Sequence, residues 1–430
     1  MNFLYRAIVA LVLCKLTTAQ QPPQVEVLTL DQAVSEALEN NLDLLAERYN
    51  VSIAEARIIT AKLRPNPVLT LDADHLDLLG TGFNLATNNG GPQEYSIRTD
   101  FLFERGGKRR ARIAVAEGNK AVARLQLLNT IRGTVLNVQN SFVDLLAAKA
   151  NLKLSEQNLA TLNEVVRINE IRVKNQDLAE VELLRAQVAA LQFENQVRQA
   201  QVAVATARAK LQVTLGRTRN SRPVDVTGEL RREPILLDEP ELQEQARQMR
   251  PDLQAVHRDQ ARSRAEVRLQ LAHGTLDYTL GTEYRRQSVT AHANTLGFFF
   301  QTNLPIFNRN QGEIERAKLE TRQAEARIRA LEAAVQNDVQ IAYLIYSGAR
   351  ATLEKIETTM LSRARDVRGI LEYSYKRGEA GFVDFLDAQR AYNETVQTYN
   401  GARADFARAL YAIDAATGAS IAGRAAGSQP

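Results

Sequence analysis

The sequence predicts a mainly α-helical protein with a small β part, built from two copies of one unit. The first observation is a repeat at an offset of 202 residues, which relates Lys174–Gly216 to Lys376–Gly418. The second is an apolar residue at every seventh position in each copy, the period of long, antiparallel coiled-coil helices. The third is a pair of strand-like segments in each half. A repeat at one fixed offset indicates a duplicated unit.

Residues 1–19 have the pattern of a secretory signal peptide, with Arg6 before an apolar core and small residues before the cleavage site. An amphipathic N-terminal segment is the alternative. Cys14 is the only cysteine, so the mature chain would have no disulfide, which agrees with export. Lipidation of Cys14 is disfavoured because the bulky Leu13 precedes it.

The charge balance excludes an obvious nucleic-acid partner. The formal net charge is +4, and Arg6 and Lys15 in the signal segment account for half of it. No basic run with interleaved aromatic residues occurs. No uncharged apolar run approaches the roughly 18 residues of a membrane-spanning helix.

The first repeat, residues 20–216, begins with a helix over 31–63. Asp31 is a suitable N-cap, Asn40-Asn41 marks a break, and prolines 65 and 67 end the helix. Strands are predicted over 67–78 and 93–103. A proline-free helix over 108–176 follows, roughly 100 Å long at 1.5 Å per residue. Its seven-residue seam is Ile131, Val138, Leu145, Leu152, Leu159, Val166 and Val173. A turn leads to the helix over 178–215.

The second repeat, residues 241–418, follows a linker over 217–240 and has the same plan. We predict a helix over 241–273, strands over 275–287 and 294–307, and helices over 313–376 and 381–418. The seam of the long helix is Val339, Tyr346, Leu353, Met360 and Val367. Residues 419–430 are rich in Gly, Ala and Ser and predict a disordered tail.

The four strands alternate between an apolar and a polar face. The apolar set in the second strand is Tyr95, Ile97, Thr99, Phe101 and Phe103. Such alternation over about ten residues is typical of transmembrane strands, although a half-buried soluble sheet has the same pattern. Four strands cannot close a barrel, and open edges are not tolerated in lipid. Three protomers would supply twelve strands, whereas two would leave too little lumen.

The chain resembles the TolC-type outer-membrane efflux channel family over essentially its whole mature length. Four segments carry the resemblance: Arg64-Pro65-Asn66-Pro67, Phe103-Glu104-Arg105-Gly106-Gly107, Leu304-Pro305-Ile306-Phe307-Asn308-Arg309 with Gly312, and the stretch from Gly378 to Gln389. The resemblance implies a homotrimer with a 12-stranded β-barrel in the outer membrane, continuous with an α-helical tunnel through the periplasm. It also implies a closed inner tip, opened by a periplasmic adaptor protein and an inner-membrane pump of RND or ABC type.

The resemblance assigns the tip constriction to Asp384 and Asp387, with Glu182 at the matching place in the first copy. The i,i+3 spacing puts the two aspartates on one helix face, where three copies would form a cation-attracting ring. An exposed helix start, where acids are favoured by the dipole, is the alternative. Ala380 stands where the family often has a locking arginine, so the candidate lock residues are Tyr373, Tyr375, Lys376 and Arg377. The adaptor-facing turns contain Asn175, Gln176, Gly378 and Gly381.

The sequence predicts no enzyme, cofactor or metal site, since no nucleophile elbow, phosphate loop or zinc spacing occurs. Asp72 and Asp74 share a strand face, but His75 and Asp77 lie on the other, so the four cannot ligate one ion. The expected function is export of small molecules, either drugs or metal ions. Type I protein secretion is an alternative, and a periplasmic adaptor or soluble coiled-coil scaffold is the alternative of another class.

Overall fold

The computed structural model describes residues 26–76, 78, 93–218, 221–233, 237–287 and 293–419. The predicted signal segment and residues 420–430 of the predicted tail lie outside the described residues. The helices are α1 Leu30–Asn40, α2 Leu42–Lys62, α3 Lys108–Lys174, α4 Glu180–Thr214, α5 Glu239–Met249, α6 Pro251–His273, α7 Gln311–Lys355, α8 Leu361–Arg377 and α9 Phe382–Thr417. The strands are β1 Glu26–Leu28, β2 Val68–Asp74, β3 Glu94–Phe103, β4 Val224–Val226, β5 Tyr278–Gln287 and β6 Asn294–Thr302.

The chain divides into two compact units. The tip-bearing unit consists of the described residues within Met1–Leu45, Thr130–Met249 and Val335–Pro430. The sheet-bearing unit consists of the described residues within Ala46–Asn129 and Arg250–Ala334. No helix in the described ranges combines the length and the apolar character needed to cross a membrane.

The sheet-bearing unit contains an antiparallel four-stranded sheet in the order β2-β3-β5-β6. The register aligns Leu71, Ile97, Tyr284 and Leu296 across the sheet, and all four side chains are exposed. The opposite face is polar and includes the buried Glu283. The predicted alternation of apolar and polar faces is therefore present in the sheet.

Three strands are shorter than the sequence predicted. The strand predicted over 67–78 ends at Asp74, because His75 has a left-handed φ of 56°. The strand predicted over 275–287 begins at Tyr278, because Lys108 Nζ binds the Thr275 carbonyl at 2.9 Å and holds that segment against α3. The strand predicted over 294–307 ends at Thr302, shortly before a proline that has no N–H to donate.

The core of the tip-bearing unit joins α1, α3 and α4 to a two-stranded parallel sheet of β1 and β4. This sheet was not predicted, and β4 lies inside the segment predicted to be a linker. The helix predicted over 31–63 is divided at the predicted break after Asn40, and the helix predicted over 241–273 is also divided. The Asn41 side chain accepts hydrogen bonds from the N–H groups of Asp43 and Leu44 and so begins α2. Pro251 occupies the first turn of α6, which separates it from α5.

The predicted seam of the second long helix is correct only as far as Leu353. Val339, Tyr346 and Leu353 are at most 6% exposed, whereas Met360 and Val367 are 42% and 51% exposed. After Leu353 a π-helical segment, Ile356–Met360, joins α7 to α8, and the Leu361 N–H donates to the Ile356 carbonyl. A π segment holds one extra residue, so the inward face restarts at Leu361 and continues with Arg368 and Tyr375. The corresponding part of α3 is an uninterrupted α-helix.

Candidate functional site at the paired helical turns

Two turns with the same backbone geometry end the long helices of the two repeats. Gln176 and Gly378, which are 202 residues apart, both adopt left-handed φ values, of 63° and 79°. The Asp177 N–H donates to the Arg172 carbonyl at 2.8 Å, and the Glu379 N–H donates to the Ser374 carbonyl at 2.9 Å. These are the hydrogen bonds of a Schellman cap. The repeat found in the sequence is therefore present in the turn geometry.

The two aspartates of the predicted ring lie at the start of α9. Both side chains are exposed and three residues apart, so they share one face of the helix. The Asp384 carboxylate accepts a hydrogen bond from the Gly381 N–H at 3.3 Å and caps the helix. Across the described residues, no basic side chain lies within ion-pair distance of Asp384 or Asp387. Both carboxylates are therefore available to a cation.

Glu182 differs from the two aspartates because it has an ionic partner. Arg185 Nη1 lies 2.8 Å from Glu182 Oε1, one turn further along α4. The pair is partly exposed, so it contributes little stability, but it cancels the charge that Glu182 would bring. Glu182 therefore corresponds to Asp384 in the repeat, but its negative charge is compensated by Arg185.

The candidate lock residues fall into two groups. Tyr375 is buried, its ring stacks on Phe385 at 5.4 Å, and its hydroxyl donates to Asn169 Oδ1 at 2.6 Å. Burial raises the pKa of Tyr375, so its phenol stays neutral. Tyr373 is exposed, and its hydroxyl accepts from Arg377 Nη1 at 2.7 Å. Within the protomer, Tyr375 is thus a core residue, whereas Tyr373 and Arg377 are exposed, and Arg377 Nε also pairs with Glu379 at 3.1 Å.

Lys376 is engaged by its own helix. Its Nζ lies 2.8 Å from Glu372, which also pairs with Arg368 at 3.0 Å. Burial disfavours the charged form of Glu372, but the hydrogen bonds from these two basic groups outweigh it and hold the pKa of Glu372 below its ordinary value.

Arg172 connects the two turns. This α3 side chain donates to the carbonyls of Tyr375 (3.3 Å) and Lys376 (2.6 Å) at the end of α8. A cation at a helix C-terminus satisfies unpaired carbonyls and is favoured by the dipole. The first repeat thereby caps a helix of the second repeat, a contact that the sequence did not reveal.

A buried polar layer above the turns was also missed. Gln389 Nε2 donates to Asn158 Oδ1 at 2.9 Å, and Asn158 Nδ2 donates to Asn393 Oδ1 at 2.5 Å. All three side chains are at most 5% exposed. Buried amides of this kind fix the register of packed helices. The available sequence signal was an Asn at a seven-residue spacing, as Asn151 and Asn158 on α3 and Asn393 and Asn400 on α9.

A groove of about 330 Å³ runs between the starts of α4 and α9. Its walls include exposed apolar side chains such as Val188 and Val383, together with Arg185, Gln192 and Arg390. Arg390 Nη2 donates across the groove to Gln192 Oε1 at 3.1 Å. Within the described ranges, no group of three or more His, Cys, Asp or Glu side chains is arranged to hold a metal ion.

A doubled long-helix fold and a four-stranded sheet with an exposed apolar face are the features of a class of outer-membrane channel proteins. The chain belongs to the outer membrane efflux protein family, whose sequence model matches residues 33–217 and 242–419. Its members are channels rather than enzymes, and they lie in the outer membrane and extend into the periplasm. The adaptor and soluble-scaffold alternatives are therefore wrong.

Individual relatives match along nearly the whole chain. The cobalt-zinc-cadmium resistance protein CzcC of Cupriavidus metallidurans is 26% identical over 391 residues, covering 90% of this chain and 89% of CzcC. The structure of CusC has a TM-score of 0.74 at 18% identity, covering 94% of this chain and 95% of CusC. The outer-membrane channel OprN has a TM-score of 0.73 at 18% identity, covering 90% and 89%. The predicted fold class is confirmed by these matches.

Proposed function

We propose that three copies of this chain form the exit duct of a tripartite efflux system. In this system a periplasmic adaptor and an inner-membrane pump deliver metal cations to the duct. Family membership supports the efflux role, and the geometry of the sheet and of the turns supports the assembly and the cargo.

The sheet is the single observation that carries the oligomeric duct. Strands β2 and β6 are each paired on one side only within the described chain, and the apolar face of the sheet is exposed. Unpaired backbone groups are not tolerated in lipid, so each edge needs a partner strand. Three sheets joined edge to edge would give twelve strands, with the polar faces around the lumen.

Two observations support metal cations as the cargo: the negative charge at the tip and the similarity to a metal-resistance protein. Asp384 and Asp387 are exposed and uncompensated, so three copies would place six carboxylates around the tip. Rings of carboxylates favour cations over anions. CzcC, a relative along nearly the whole chain, is named for resistance to cobalt, zinc and cadmium.

Selectivity in planar bilayers tests the ring. The double variant Asp384→Asn, Asp387→Asn should lower the cation-over-anion permeability ratio, measured from the reversal potential in a salt gradient. Asp405→Asn is a matched control, because Asp405 lies on the same helix, pairs with Arg408 and is 18 residues beyond Asp387. An unchanged ratio in the double variant would remove the ring from the proposal.

Growth assays test the cargo. The gene should be deleted from its host, and the minimal inhibitory concentrations of divalent metals and of organic antibiotics should then be compared. We expect the deletion strain to be sensitive to Co²⁺, Zn²⁺ or Cd²⁺, and we expect the wild-type gene to restore its resistance. Sensitivity confined to organic drugs would contradict the metal cargo and leave the duct intact. Loss of a secreted protein with normal growth on both would favour type I secretion.

A further inference from the structure

We propose that Arg185 and Gln192 set the cation selectivity of the tip in opposite directions. Arg185 limits it by cancelling the charge of Glu182, and Gln192 maintains it by holding Arg390 away from Asp387. This inference rests on the proposed role of the two aspartates and concerns what leaves them uncompensated.

The two repeats place opposite charges at one equivalent position. Helix α4 begins at Glu180 and α9 begins 202 residues later, at Phe382. At this offset Glu182 corresponds to Asp384, and Arg185 corresponds to Asp387. The first copy thus has an acid and a base at the i,i+3 positions where the second copy has two acids.

The consequence is an asymmetric ring. In the first copy the ion pair between Arg185 and Glu182, at 2.8 Å, cancels both charges. In the second copy Asp384 and Asp387 add. Each protomer therefore presents two uncompensated carboxylates, both from α9, and the charge of Glu182 is withdrawn as long as Arg185 is present.

Arg390 has the sequence spacing needed to neutralise the ring. It follows Asp387 by three residues on α9, the same spacing that allows Arg185 to pair with Glu182. In the structure its Nη2 instead donates to Gln192 Oε1 on α4, at 3.1 Å. The direction of the Arg390 side chain is therefore set by an uncharged residue on another helix.

The groove between α4 and α9 favours the contact between Arg390 and Gln192. Arg185, Gln192 and Arg390 line the same cavity of about 330 Å³, between apolar side chains that include Val188 and Leu386. The long stem of Arg390 can lie along such apolar walls while its guanidinium reaches Gln192. Without the Gln192 amide, the carboxylates within one helical turn of Arg390 on α9 are those of Asp387 and Glu394, and pairing with Asp387 would neutralise part of the ring.

The decisive variant is Gln192→Leu, which leaves every charged side chain of the tip in place. Gln192→Leu should release Arg390 toward Asp387 and lower the cation-over-anion permeability ratio of the reconstituted full-length channel by at most roughly two-fold, because an exposed ion pair forms only part of the time and Glu394 competes for Arg390. Adding Arg390→Gln to this variant should restore the wild-type ratio. Arg185→Gln should raise the ratio, because Glu182 then joins the ring, and adding Glu182→Gln should cancel that rise.

The controls separate this inference from the proposed function. If Gln192→Leu impairs assembly, the unbranched Gln192→Met replaces it, with the same expected decrease and the same restoration by Arg390→Gln. An unchanged ratio in both Gln192 variants, in channels where Asp387→Asn lowers it, would overturn the inference and leave the ring. An unchanged ratio in Asp387→Asn and Asp384→Asn as well would overturn the ring itself.

Discussion

Replacing Tyr375 by phenylalanine separates a structural role of this residue from a role in locking the tip. The substitution removes one oxygen and keeps the ring stacked on Phe385. The hydroxyl it removes donates to Asn169 Oδ1 at 2.6 Å, and Asn169 Nδ2 already has no partner. An amide that is 0% exposed would then have neither of its polar atoms paired.

The expected cost follows from that burial. Leaving a buried acceptor unsatisfied costs about 1–3 kcal/mol per chain. Phe385→Ala, which empties a fully buried site in the same cluster, should cost more, about 3–5 kcal/mol. Tyr373→Phe is the matched control, because its hydroxyl is exposed, and it should change the free energy of unfolding by less than about 0.5 kcal/mol.

The assay combines denaturant unfolding of the purified protein in detergent with single-channel conductance. We expect Tyr375→Phe to lower the unfolding midpoint and to leave the conductance as in the wild type. An open, highly conducting channel with an unchanged midpoint would show that the Tyr375 hydroxyl is a lock, and the structural assignment would be wrong.

Three further changes test other parts of the tip-bearing unit. Gly216→Ala should lower the unfolding midpoint, because φ is 75° there and a Cβ would lie 2.4 Å from the Asn40 carbonyl oxygen. Asn158→Leu should also lower the unfolding midpoint, because it leaves the buried Gln389 amide without its acceptor. Faster hydrogen exchange of the backbone amides around Asn158 and Gln389 would show that the loss of stability is local. The pKa of Glu372 is lowered in the folded protein, so its contribution to stability is present above the pKa of the unfolded chain and is lost as the pH falls through the folded value. Glu372→Gln should therefore flatten the acid limb of the stability profile, and an unchanged limb would contradict the assignment.

The seven-residue period shows how a local pattern can continue where the structure does not follow it. Met360 and Val367 extend the apolar series of α7 without a gap, yet both are exposed. The π segment adds one residue to the helix and turns the inward face to Leu361 and Tyr375. The π-helical segment depends on a backbone hydrogen bond from the Leu361 N–H to the Ile356 carbonyl. The spacing of apolar side chains does not indicate such a bond, so the segment could not be predicted from the seven-residue pattern.

The sequence by itself determined the doubled plan, the long helices, the two-faced strands and the i,i+3 aspartates. Each of these is a periodicity or spacing along the chain, and the helix and strand repeats convert such spacings directly into faces. Only the tertiary structure decided that Tyr375 is buried, that Arg172 caps the end of α8, and that Arg390 reaches Gln192 rather than Asp387. Those outcomes depend on which side chains of distant segments compete for the same partner, and that competition exists only after the helices have packed.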